Sequence, residues 1–128
     1  MHEVIRHLKR MPKSLCKKKT VWCEIHDQSG EFILRCCNSP ILNDAKYCSG
    51  EAECGCMHAE VKAILNLIEL DTVYRNCYMF CLFSPCTKCA QVIIRSRRIR
   101  EVYYETLSSD VRGRDFLIIA GIVCAQTN

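Results

Sequence analysis

The 128-residue sequence contains no uninterrupted apolar run near the roughly 18 residues that a membrane-spanning helix requires. Its opening, MHEVIRHLKRMPKSLCKKK, lacks the apolar middle of a secretion signal. Internal repeats, linkers and low-complexity segments are also missing. These absences predict one compact domain over residues 1–128, soluble and cytoplasmic. Strong charge is lacking too: the formal net charge is +4, far from the basicity of a dedicated nucleic-acid binder. What charge there is clusters, with Lys9, Arg10, Lys13, Lys17, Lys18 and Lys19 early and Arg95, Arg97, Arg98 and Arg100 later. Each cluster reads either as a solvated face or as the seat of an anion, and a phosphate on a small substrate needs only a few such residues.

Cysteine, by contrast, is abundant, with 12 residues. In a small secreted chain that number would read as a disulfide framework. Without an export signal the thiols stay reduced and free to bind metal, and the pairs CGC and CTKC are short enough to chelate one ion.

Val4, Ile5 and Leu8 fall at helical spacing ahead of Pro12, which predicts a short amphipathic helix packed on a sheet. TVWCEI and EFILRCC are β-rich runs joined by HDQSG, so residues 20–26 and 31–37 should form an antiparallel hairpin. Residues 38–56 have no sustained period and form a long irregular connection. HAEVKAILNLIEL then predicts a helix with Val61, Ile64, Leu65 and Ile68 along one face, ending near Asp71. NCYMFCLF reads as a strand buried on both faces. SPCTKCAQVIIRSRR reads as a helix with Ser84 as N-cap, Pro85 in its first turn, and Val92 and Ile93 facing the core. IREVYYE, SSDVRGRDFLIIAG and IVCAQ supply a strand, a helix and a last strand. The order β-β-α-β-α-β-α-β, after the first helix, predicts an α/β fold: a three-layer α/β/α sandwich around a mixed five-stranded sheet.

His58 opens one predicted helix, and Cys86 and Cys89 open the next. If the two helices lie side by side with their starts together, one imidazole and two thiolates converge as a three-ligand zinc site, leaving the fourth tetrahedral position to water. Helix N-termini favour thiolate over thiol, and zinc lowers the pKa of water to about 7. Glu60, two residues from His58, projects beside such a metal, where a carboxylate can act as general acid and base.

HAE, followed 24 residues after Glu60 by SPCTKC, resembles the H-x-E … P-C-x-x-C signature of zinc-dependent nucleobase deaminases. Within them the chain most resembles the deoxycytidylate (dCMP) deaminases, from about Ser14 to Gln126: SLCKKKTVWCEI, CCNSP, CAQVII and LIIAGIVCAQ all resemble stretches of that family. The resemblance implies a cytidine deaminase-like fold, a catalytic Zn2+ on His58, Cys86 and Cys89, proton transfer by Glu60, and hydrolysis of dCMP to dUMP and ammonia. It further implies substrate contacts from Asn38 and from the backbone at Ala59 and Ser84. Tyr104, at a strand terminus, could stack on the base or gate the pocket, or be a core or rim tyrosine. Phosphate binding falls to one of Lys17, Lys18, Arg112 and Arg114. The chain departs from the family at Cys36 and Cys37, where glycine and tyrosine are usual, and at Ser39, which follows Asn38 without an intervening glycine.

Some relatives carry a second, structural zinc, and Cys16, Cys48, Cys54 and Cys56 suit one; the other reading is four free thiols. The resemblance also implies a homo-oligomer, hexamer or dimer, with dCTP and dTTP as effectors. Cys23, Cys36, Cys37, Cys77, Cys81 and Cys124 occupy strand-like positions and read as packing residues. His7 and His26 read as surface or satisfied core groups. Four other functions remain open: deamination of cytosine or adenine in a polynucleotide, deamination of a free nucleoside, a silent nucleotide-binding relative, and a zinc-stabilised binding module.

Overall fold

A computed structural model describes residues 2–70 and 73–127. The elements are α1 (His2–Lys9), β1 (Trp22–His26), β2 (Phe32–Cys37), α2 (Ala59–Glu69), β3 (Cys77–Phe83), α3 (Thr87–Ser96), β4 (Ile99–Thr106), α4 (Arg112–Ile119) and β5 (Val123–Gln126). The strands form one five-stranded sheet in the order β2-β1-β3-β4-β5. β1 is antiparallel to both β2 and β3, whereas β3–β4 and β4–β5 are parallel. This is the mixed sheet that the element order implies. Parallel neighbours need crossovers, and α3 and α4 supply them.

The β1–β2 hairpin turns on Asp27, whose Oδ1 accepts from the backbone N–H of Ser29 and of Glu31, both at 2.9 Å. Gly30 takes the positive φ of 93° that the turn requires. Strand β1 begins at Trp22 rather than residue 20, because the Val21 N–H is taken by a side chain, Asn38 Oδ1 at 2.9 Å.

One face of the sheet carries α2, α3 and α4 over a core that includes Cys23, Ile25, Met79, Cys81, Val102, Ala63, Leu67, Ile93 and Leu117. The other carries α1, whose Ile5 and Leu8 pack on Phe80 beside Trp22 and Tyr103. Full burial of side chains such as Leu67, Met79 and Ile93 contributes about 1.5–3 kcal/mol each. Cys23 pairs with Cys81 across β1 and β3, and both are fully buried, as is Cys77. Cys36 is also buried, whereas Cys37 and Cys124 are half-buried. His26 is satisfied: its Nε2 lies 3.0 Å from Glu24 Oε2 and its Nδ1 3.1 Å from the Gly30 carbonyl. His7 of α1 approaches the same buried carboxylate at 3.7 Å.

The buried face of α2 differs from the expected one. Ala59, Glu60, Ala63, Ile64 and Leu67 are buried, whereas Leu65 and Ile68 are 43% and 47% exposed. Ala59 and Ala63 are fully buried on the face toward the sheet, and Leu65 and Ile68 turn outward into a shallow groove with Val92 of α3. The helix ends at Glu69; the expected terminus near Asp71 lies outside the described residues. Helix α3 also begins later than expected, at Thr87, with Cys86 as its N-cap. Ser84 is therefore not a cap.

Candidate active site

Strand directions bring the chemistry to one end of the sheet. The start of β1, the ends of β2, β3 and β4, and the starts of α2 and α3 all meet there. In open α/β sheets that is where ligands bind, beyond the carboxyl ends of the parallel strands.

His58 is the N-cap of α2 and Cys86 the N-cap of α3, yet neither side chain caps its own helix. Both turn toward Cys89, in the first turn of α3. His58 Nδ1 lies 3.2 Å from Cys89 Sγ and 3.6 Å from Cys86 Sγ, and the three ligand atoms all lie within 4.8 Å of one another. Zinc–sulfur bonds of about 2.3 Å and zinc–nitrogen bonds of about 2.0–2.1 Å in a tetrahedron place ligand atoms roughly 3.5–3.8 Å apart, so the cluster has the size for zinc.

Proton affinities in the cluster are polarised. The hydrogen bond from Cys89, then that from His58, takes the Cys86 thiol down to about 3. The Cys86 thiolate raises His58 in turn, and the same sulfur raises Cys89. The polarisation favours a thiolate at Cys86, and a metal bound there would displace the protons that remain on the cluster.

Glu60, in the first turn of α2, is 6% exposed. Burial raises its pKa, against the pull of its own backbone N–H and of His58. Its Oε1 is buried without a hydrogen-bond partner. An orphaned carboxylate oxygen is costly unless a ligand supplies a donor. Side chains that could hold a metal and a carboxylate with one orphaned oxygen therefore share one cavity of about 230 Å³, lined by Val21, Asn38, His58, Ala59, Glu60, Phe83, Ser84, Cys86 and Ser108 among others.

The zinc-binding region of the cytidine and deoxycytidylate deaminases, as a family model, matches residues 1–106. The chain belongs to this deaminase family. A probable deoxycytidylate deaminase of Caenorhabditis elegans is 40% identical over 48 residues, which cover 38% of this chain and 23% of that protein. The match thus spans about a quarter of that relative. Among solved structures, the dCMP deaminase of cyanophage S-TIM5 in complex with dCMP and dUMP superposes with a TM-score of 0.77 at 18% identity, covering 98% of this chain and 95% of that one. A diaminohydroxyphosphoribosylaminopyrimidine deaminase/reductase of Thermotoga maritima gives 0.67 at 19% identity, covering 95% of this chain and 33% of that one. These likenesses establish the deaminase fold, and the family is a zinc-binding one.

The remaining expected site residues fall into distinct places. Asn38 lines the cavity, but its amide is spent on backbone: Oδ1 accepts from Val21 N–H at 2.9 Å and Nδ2 donates to the Lys19 carbonyl at 2.8 Å. Ala59 is fully buried at the cavity wall. Ser84, 3% exposed, also lines it, and its Oγ accepts from Ser108 N–H at 2.8 Å. Tyr104 takes the core place, its alternative to stacking on the base or gating the pocket. It is 3% exposed within the core, because strand alternation puts it on the face of Val102 that α3 and α4 cover, and it is not among the lining residues.

Of the expected phosphate groups, Arg112 is paired with Asp110 at 2.6 Å and Arg114 with Asp115 at 3.0 Å, and neither lines the cavity. Lys17 does not line it either. Lys18 does, with Nζ donating to the Ala52 carbonyl at 3.2 Å. Lys19 lines it as well, its ammonium 4.8 Å above the Phe83 ring. Lys19, Phe83 and Ser108 were not singled out as site residues by their sequence. Lys19 sits in the early basic cluster, but Phe83 and Ser108 carry no sequence signal beyond their nearness to a strand end.

Cys16, Cys48, Cys54 and Cys56 also converge, with all four sulfurs within 4.8 Å of one another. Cys16 Sγ lies 3.8 Å from Cys54 Sγ and 4.0 Å from Cys48 Sγ. Burial works against ionisation of Cys16, but the backbone N–H groups of Lys19 and Lys18 outweigh it and bring the thiol down to about 6. The Lys17 N–H lowers Cys48. Burial, and then Cys48, raise Cys56.

Proposed function

We propose that the chain is a zinc-dependent hydrolase that converts dCMP and water to dUMP and ammonia, with zinc held by His58, Cys86 and Cys89. The observation that carries this reading is the buried, unpartnered Glu60 Oε1 beside that cluster. Zinc bound there supplies Lewis acidity that makes water nucleophilic near neutral pH. Glu60 takes one proton from the attacking water and delivers it to the ring nitrogen N3, then takes the second from the hydroxyl so formed on C4 and delivers it to the amino group, which leaves as ammonia as the C4–N bond breaks and C4=O forms. Burial fits the carboxylate for both directions of transfer, since a raised pKa lies nearer the working pH.

Ala59 and Ser84 present backbone to the pyrimidine in this reading, and Asn38 holds the sugar side of the pocket. The exposed Lys18 and Lys19 of the cavity lining take the 5′-phosphate, and the buried Glu60 faces the pyrimidine. Two lysines in the lining suit a monophosphate better than a bare nucleoside, which carries no charge for them to pair with.

Cys16, Cys48, Cys54 and Cys56 hold a second, structural zinc that ties the segment before β1 to the loop before α2. Homo-oligomerisation, as a dimer or hexamer, and response to dCTP and dTTP belong to the same proposal. The exposed Leu65 and Ile68 beside Val92 support self-association. A cytoplasmic site suits the 12 unpaired thiols. No described helix is long and apolar enough to cross a membrane.

Ammonia release from dCMP, deoxycytidine, dCTP and a cytosine-containing oligonucleotide tests the substrate. Release from dCMP well above the others supports the reading, and release from the oligonucleotide alone replaces it with polynucleotide editing.

A further inference from the structure

Cys86 lies in a segment, Ser84–Pro85–Cys86, that has few means of orienting itself. Pro85 has no N–H, and Cys86 makes no side-chain cap to α3. The contacts that orient it come from residues more than twenty positions further on. Ser84 N–H donates to the Thr106 carbonyl at 2.9 Å. Ser108 then closes a reciprocal pair, its N–H donating to Ser84 Oγ at 2.8 Å and its Oγ donating to the Ser84 carbonyl at 2.9 Å.

From the other side, Gly113 in the first turn of α4 presses directly on the Pro85–Cys86 peptide. A Cβ at Gly113 would lie 2.0 Å from the Pro85 carbonyl oxygen, 2.7 Å from the Cys86 carbonyl carbon and 2.8 Å from the Cys86 oxygen. All are below any separation that a real methyl group tolerates, and the opposing atoms are backbone, which cannot swing aside. The Cys86 carbonyl in that contact also accepts the opening hydrogen bond of α3, from Ala90 N–H at 2.8 Å. Displacing it moves the turn that carries Cys89.

The geometry points to Ser108 and Gly113 as positioning residues of the metal centre: together they clamp Ser84–Cys86 so that Cys86 Sγ meets Cys89 and His58 at ligating distance. Neither touches the reacting atoms. Ser108 acts through the Ser84 backbone and hydroxyl, and Gly113 by leaving room for the Pro85–Cys86 peptide where any side chain would push it. The roles rest on the reading that His58, Cys86 and Cys89 hold zinc. Groups of this kind, which orient a ligand from behind, typically change metal affinity by about 10- to 100-fold when altered.

The test uses the whole chain loaded with cobalt(II) in place of zinc, and reads the part of the absorption spectrum that His58→Ala abolishes, together with metal affinity by competition with a chelator. Gly113→Ala is expected to weaken affinity by tenfold or more and to shift the His58-dependent band. Ser108→Ala should do the same by a smaller factor, and Ser108→Thr, which keeps the hydroxyl, should restore the wild-type spectrum. If Gly113→Ala fails to fold, the Ser108 pair decides alone. Wild-type affinity and spectrum in Ser108→Ala, or in a folded Gly113→Ala, overturns the clamp while leaving the metal assignment intact. A cobalt spectrum that His58→Ala does not alter overturns the metal assignment itself.

Discussion

His58 and Cys86 occupy the same position, the N-cap, on two neighbouring helices, and their side chains meet at 3.6 Å instead of capping. Each helix therefore gives up a cap, worth about 1 kcal/mol in an ordinary helix, to place a ligand atom. The free N–H groups and dipoles of both helix starts favour negative charge at the same point, where a thiolate and a bound metal's oxygen ligands would sit.

The two cysteine-containing clusters predict the metal content. Purified protein should hold two zinc ions per chain by elemental analysis. Cys89→Ser should remove one and Cys48→Ser the other, with deaminase activity lost in the first and thermal stability reduced in the second. One ion in the wild type, retained in Cys48→Ser, would return Cys16, Cys48, Cys54 and Cys56 to free thiols.

Lys19 predicts a phosphate-dependent effect. Removing a hydrogen bond to a charged group costs about 1.5–3 kcal/mol, so Lys19→Ala should lower kcat/KM for dCMP by roughly ten- to a hundredfold. Steady-state kinetics with deoxycytidine in parallel should show little change. Equal losses on both substrates would mean that Lys19 serves the pocket wall, through its contact with Phe83, rather than the phosphate.

Asn38 joins two backbone groups across the pocket wall, Val21 N–H and the Lys19 carbonyl. Asn38→Ala leaves both without their partner and should destabilise the fold by about 1–3 kcal/mol in denaturant titration. A stability within error of wild type would confine Asn38 to substrate contact.

These two residues mark how far the sequence alone carried the site. His58, Glu60, Cys86 and Cys89 are legible because metal and proton chemistry restrict the residue types and the spacing. The sheet, its mixed directions and the helix order are legible from periodicity and from the crossovers that parallel strands need. Lys19 and Phe83 are not, because any exposed lysine or strand-end phenylalanine looks alike until the sheet places it. The outward turn of Leu65 and Ile68 goes with burial of the small Ala59 and Ala63, which a helical wheel weighted by hydrophobicity does not register. Tyr104 is left between pocket and core by its place near a strand terminus, and the covering helices decide the face.

The raised pKa of Glu60 predicts a stability that depends on pH in metal-free protein. Because burial holds the folded-state value above 4.5, the folded chain keeps a proton there that the unfolded chain has released. The native state therefore loses stability as pH rises from about 4.5 through the folded value. Glu60→Gln removes that ionisation, so denaturation of the metal-free variant should show a smaller loss over the same window and greater stability at neutral pH. An identical pH profile in both proteins would place the carboxylate in contact with solvent.

The central claim is that Glu60 moves protons beside a zinc held by His58, Cys86 and Cys89. Its most direct test compares wild type and Glu60→Gln, matched for zinc content, in the turnover of dCMP to dUMP. The account predicts that Glu60→Gln keeps its zinc and loses turnover by about 10²–10⁴-fold. Turnover within a few-fold of wild type at equal zinc would contradict it.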